Sequence, residues 1–179
     1  MASPAPLVRR AALSILADQA GGFNARIDAI LSSQGVQPFG VDFAPNSKSF
    51  FQGYIPIDAE EISTSQIAPK PCAICMYTTG IVNAKETNAR YFAGLVELRI
   101  DAYLRLRARE ETSAGVESDD TETPMDAIEE AVLYSFREGS WGEINYNGDF
   151  KSDRSPLLFV DDGYQQRISI QIAAAVRIS

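Results

Sequence analysis

Phe92-Ala-Gly-Leu-Val-Glu-Leu-Arg-Ile-Asp-Ala-Tyr-Leu-Arg-Leu-Arg-Ala108 is the stretch whose pattern decides the fold. Phe92, Gly94, Val96, Leu98, Ile100, Ala102, Leu104, Leu106 and Ala108 are apolar or small, while Glu97, Arg99, Asp101, Tyr103, Arg105 and Arg107 fall between them. A period of two over this length predicts a β-strand with one buried and one wet face. Tyr164, Ile168, Ile170, Ile172, Ala174, Val176 and Ile178 repeat the pattern at the C-terminus, and the two strands belong at the centre of one sheet. Strands usually run about 5 to 6 residues. Extended, the first of these would reach about 55 Å, against a radius of gyration of about 16 Å for a domain of this size. Either the strand bends at Gly94 inside a long curved sheet, or it projects as a two-stranded ribbon that offers a neighbouring subunit a platform.

On its N-terminal side, Pro71 to Thr79 reads as another strand closed by Gly80, and Asn83 to Arg90 as a polar connection. Residues 36–70 show no period, and Pro38, Gly40, Pro45, Gly53, Pro56 and Pro69 break any long element. The segment still carries Phe39, Phe43, Phe50, Phe51 and Tyr54, which a solvated linker would lack. So long an irregular segment is uncommon in a compact domain. The reading leans towards an arm that contacts another subunit, with a short β-hairpin as the alternative. Leu7 to Ala20 reads as a helix with Val8, Ala11, Ala12, Ile15, Leu16 and Gln19 at spacings of three and four, ended by Gly21-Gly22. A shorter helix follows, with Phe23, Ile27, Ile30 and Leu31 on one side.

On the C-terminal side, Glu110 to Glu122 is an acidic loop. Thr123 suits an N-cap, Pro124 a first helical position and Asp126 a capping box, before an apolar stripe of Met125, Ile128, Val132 and Phe136 that Gly139 stops. Residues 140–155, with Trp141, Tyr146 and Asn147-Gly148, read as turn-rich. Leu157 to Val160, the Asp161-Asp-Gly163 turn and the last strand then form a hairpin. This order predicts one α+β domain over residues 1–179: an antiparallel sheet of about four strands, two of them long, with helices packed on one face.

The 179 residues are 45% hydrophobic, enough for a core. No apolar run approaches the about 18 residues of a membrane span, and the N-terminus lacks the layout of a signal peptide. The expectation is a soluble protein made inside the cell, with no membrane partner. The net charge is -8, yet nine acidic residues and no Lys or Arg lie between Glu110 and Glu130; removing those nine from 24 leaves 15 acidic against 16 basic residues. The acidity therefore belongs to one segment, including Glu117, Asp119, Asp120 and Glu122. It either serves solubility alone or repels nucleic-acid phosphates.

There is no histidine, which removes the commonest proton shuttle and metal ligand. Cys72-Ala-Ile-Cys75 lacks the further ligands a zinc site needs, and in a strand its thiols point to opposite faces. Asp161-Asp-Gly163 suits a turn better than a calcium loop. Arg99, Arg105, Arg107 and Arg109 share a strand face with Glu97 and Asp101, a mixture suited to a complementary strand or subunit, or to a solvated face. No phosphate-binding loop, nucleophile elbow or paired-acid motif is present. No cofactor, metal or catalytic residue is nominated, so an enzyme is not expected.

The opening helix Leu7 to Ala20, the strand Pro71 to Thr79, the long strand Phe92 to Ala108, the helix Pro124 to Phe136 and the closing hairpin Leu157 to Ile178 together resemble the tail terminator (tail-completion) and head-to-tail joining proteins of long-tailed bacteriophages. The resemblance is one of element order and covers most of the chain. It implies a virion structural protein, assembled in the host cytoplasm, that forms a hexameric ring on the tail tube and meets a head connector or neck protein. DNA would pass through without specific binding. In that reading Glu97, Arg99, Asp101, Arg105 and Arg107, with Phe50, Phe51 and Tyr54 of the arm, contact neighbouring subunits, while Glu117, Asp119, Asp120 and Glu122 line a channel or loop. The alternatives are another neck or baseplate component, or a small α+β ligand-binding or enzymatic domain.

Overall fold

Three helices and six strands are found among the described residues 3–35, 50–52, 72–83, 92–107, 122–160 and 163–178 of a computed structural model. The helices are α1 (Pro4–Leu16), α2 (Phe23–Ser33) and α3 (Glu122–Glu138). The strands are β1 (Phe50–Gln52), β2 (Cys72–Asn83), β3 (Phe92–Arg107), β4 (Phe150–Arg154), β5 (Leu158–Val160) and β6 (Gly163–Ile178). As the alternation predicts, β3 and β6 are the long strands, 16 residues each, paired antiparallel along their whole length from Phe92↔Ile178 to Arg107↔Gly163. The antiparallel body has four strands in the order β2-β3-β6-β4. Two three-residue strands extend it: β1 pairs parallel with β2, and β5 forms the expected hairpin with β6.

Side chains from the even positions of β3 build the core. Val96, Leu98, Ile100 and Ala102 stand in register with Ala174, Ile172, Ile170 and Ile168. All are buried beneath Val8, Ala12 and Leu16 of α1 and Met125, Ile128 and Val132 of α3. Residues directly opposite in a ladder share a face, so this is the helix face of the sheet. Arg9 ties α1 to it by donating from Nη1 to the Thr78 hydroxyl at 2.8 Å. Phe23, Ile27 and Leu31 of α2 join the same cluster.

Several boundaries differ from the sequence reading. The first helix ends at Leu16, and Gly22 becomes the N-cap of α2 instead of a stop for α1. The α3 helix begins at Glu122, so Thr123 is already helical, and Asp126 turns its carboxylate to Arg154 of β4. Residues 140–155 are not turns alone. They contain β4, an antiparallel bridge from Asn145 to Ala175, and Trp141, whose indole donates to the Phe136 carbonyl at 2.9 Å.

The β2–β3 ladder has one irregularity. Thr78 pairs with Leu98 and Gly80 with Glu97, leaving Thr79 as the extra residue of a bulge. Towards the end of that ladder the backbones crowd: a Cβ on Gly94 would lie 1.9 Å from the Val82 carbonyl oxygen. Gly94 is therefore required for close approach of two strands.

Candidate functional site

The face of the sheet opposite the helices holds Glu97, Arg99 and Asp101 of the residues nominated for contact, and its two ends differ in chemistry. Across one end the register aligns Cys75, Asp101, Ser169 and Asp153, flanked by the row Tyr77, Arg99, Gln171 and Lys151. Asp101 was expected on a wet face and is 0% exposed. Three neighbours replace its water. The Tyr77 hydroxyl donates to Oδ2 at 2.8 Å, Arg99 Nε donates to Oδ1 at 2.8 Å, and the Ser169 hydroxyl donates to Oδ1 while accepting from Arg99 Nη2 at 2.6 Å. Taking a carboxylate out of water is costly unless its lone pairs are met, and here they are met across three strands.

The network shifts its members in the directions these contacts dictate. The bond to Asp101 holds the Arg99 guanidinium above its ordinary range. Burial, then the same carboxylate, pushes the Tyr77 phenol well above its usual value. Tyr103, two residues along, is 4% exposed and raised mainly by burial. Among the described residues its hydroxyl has no hydrogen-bond partner, and neither has Nε of Arg167, its register neighbour on β6. Asp101 is closed to solvent, so this cluster fixes strand register and offers no approach to a substrate.

At the other end the same face turns apolar. Past the bulge, Val82, Leu95 and Ala175 form one row. Val82 is 53% exposed and Leu95 41%, whereas Ile81, 48% exposed, stands opposite Val96 on the helix side of the sheet. Glu97 borders this row, its carboxylate lying over Gly80. Exposed apolar side chains grouped in this way mark contact surfaces.

Of the nominated residues, Glu97, Arg99 and Asp101 thus share a face, but only the end near Glu97 is open. Arg105 and Arg107 lie on β3 opposite Gln165 and Gly163, and Phe50 and Phe51 form β1 with Gln52. The side chains of these four, together with Tyr54, Glu117, Asp119 and Asp120, fall outside the described residues. Glu122 heads α3, where its carboxylate pairs with Arg154.

Sequence reasoning missed that last cluster. Arg154 reaches from β4 to Glu122, Asp126 and Glu129 of α3, and Ser152 donates to Glu129 at 2.7 Å. Burial works against the Arg154 charge, but the bonds to Asp126 and Glu129 outweigh it and raise its pKa. The available signal was the helical spacing of Glu122, Asp126 and Glu129, which places three acids along one side. Cys75 stands opposite Asp101 on the face away from the helices; Cys72 pairs in register with Leu104, and its side chain falls outside the described residues. Compared with known proteins, the chain matches no protein-family model and no curated sequence.

Proposed function

We propose that this chain is a virion structural protein of a long-tailed bacteriophage, a tail terminator whose copies form a ring on the end of the tail tube and join it to the head connector. The observation that carries the reading is the apolar end of the sheet, where Val82 and Leu95 stand exposed side by side on long paired strands, on the face away from the helices. A side-by-side ring needs a surface of this kind, rigid, apolar and away from the helices. The order of helices and strands supports the same reading. Ring contacts in this proposal centre on Leu95, Val82 and Glu97, because Asp101 has no exposed surface to give a neighbour. The acidic segment, with Glu117, Asp119 and Asp120, keeps passing DNA from sticking by like-charge repulsion.

The test is the mass of the protein in solution, by light scattering with and without tail-tube protein. A ring-sized species, or one that forms on tube ends, is expected, and Leu95→Asp should abolish it while leaving the melting temperature within a few degrees. Unchanged assembly by a folded Leu95→Asp variant would refute the proposal.

A further inference from the structure

The opposite margin of the sheet carries a second surface, independent of the apolar end. Ser155 donates its amide to the Arg167 carbonyl at 2.9 Å, and the register runs unbroken from there through Arg154↔Ile168 to Phe150↔Ile172. Backbone groups alternate in direction along an antiparallel strand. Lys151 and Asp153 therefore turn theirs to β6, while Phe150, Ser152 and Arg154 turn theirs outward. Among the described residues no strand pairs with that outer side.

Along this edge, Phe150-Lys-Ser-Asp-Arg154, opposite charges stand on either side of Ser152, Lys151 before it and Asp153 after it. We infer that a second copy of the chain pairs antiparallel with β4 about a two-fold axis at Ser152, continuing the sheet from one subunit into the other. Ser152 faces Ser152 as a hydrogen-bonded pair. Lys151 of each copy then meets Asp153 of the other at a closely spaced position, giving two opposite-charge pairs on the face away from the helices. An edge defended by Lys151 alone would repel a copy of itself; Asp153 turns that defence into a match. Phe150, 50% exposed, comes to lie opposite Arg154 of the second copy.

Apolar surface follows the same register. Leu157, 38% exposed, falls opposite Asn147 of the second copy, next to a shallow groove bordered by Leu133, Tyr134, Tyr146, Gly148 and Phe150. The two-fold thus covers Phe150 and Leu157 of both copies at once, as an isologous interface does. Irregular backbone at residues 146–149 and 155–157 confines the strand pairing to five residues per copy. The interface is accordingly small and its affinity modest.

Charge reversal tests the register. By sedimentation equilibrium from micromolar to about one millimolar, the wild-type protein is expected to dimerise. Lys151→Asp and Asp153→Lys should each weaken the pair by roughly tenfold or more, because like charges then stand opposite. The double variant restores both matches and should regain wild-type association, with circular dichroism melts confirming that all three variants fold. A wild-type monomer at the highest concentration, an unchanged mass in either single variant, or a folded double variant that stays apart would overturn the inference. Leu95→Asp should leave this pair intact, so failure here and failure of the ring proposal are distinguishable.

Discussion

The two halves of β3 invert the usual relation between polarity and exposure. On the face away from the helices, the half around Asp101 and Tyr103 is polar and buried, whereas the half around Leu95 is apolar and exposed. Alternation reports which residues share a face; it does not report what covers that face. Asp101 is covered because Tyr77, Arg99 and Ser169 meet its oxygens from three strands, and Leu95 is exposed because no helix among the described residues packs on that face. A buried charge with its partners fixes register, and an exposed apolar row marks where another molecule belongs.

Removing Asp101 breaks the buried half and should have the largest effect. Asp101→Ala leaves Arg99 half-covered without its counter-charge and should cost about 3 kcal/mol in urea unfolding. A cost below about 1 kcal/mol would mean the network adds little to stability. Gly94→Ala attacks the exposed half from its far end by pushing β2 away at the Val82 carbonyl, and should cost about 1 to 3 kcal/mol.

Alkaline pH sharpens the contrast. The Tyr103 phenol is held above its ordinary value of 10.0 in the fold, so above about pH 10 the unfolded chain releases a proton that the folded chain keeps. Stability from this group is complete below that pH and falls as pH rises, by about 1.4 kcal/mol per pH unit. Tyr103→Phe should flatten that decline. Near neutral pH the same substitution removes a hydroxyl with no partner among the described residues and should change stability by less than about 0.5 kcal/mol, or raise it. A marked loss in Tyr103→Phe would show that the hydroxyl is bonded in solution.

The long strands, the closing hairpin and the helix Glu122–Glu138 were legible because each repeats one period over many residues. β4 was not, since Phe150-Lys-Ser-Asp-Arg154 alternates only partly and owes its strand conformation to the edge of β6. The depth of Asp101 was equally hidden. Its partners lie 24 residues away at Tyr77 and 68 away at Ser169, a separation that no local pattern encodes. The apolar row failed to stand out because the Thr79 bulge changes the phase of β2, so Ile81 and Val82 no longer follow the parity of Ile74, Met76 and Thr78.

That bulge also sets where the chain tolerates a change of length. Losing one residue from a paired strand ordinarily turns over every side chain beyond it. At Thr79 the ladder already counts two residues against one, so deleting Thr79 keeps Thr78 opposite Leu98 and Gly80 opposite Glu97. Ile81 would stay on the helix side and Val82 on the other, with only the local twist reduced. Thr79 is thus a hinge in the reading frame of the sheet: the position along β2 where length can vary while inside and outside keep their places.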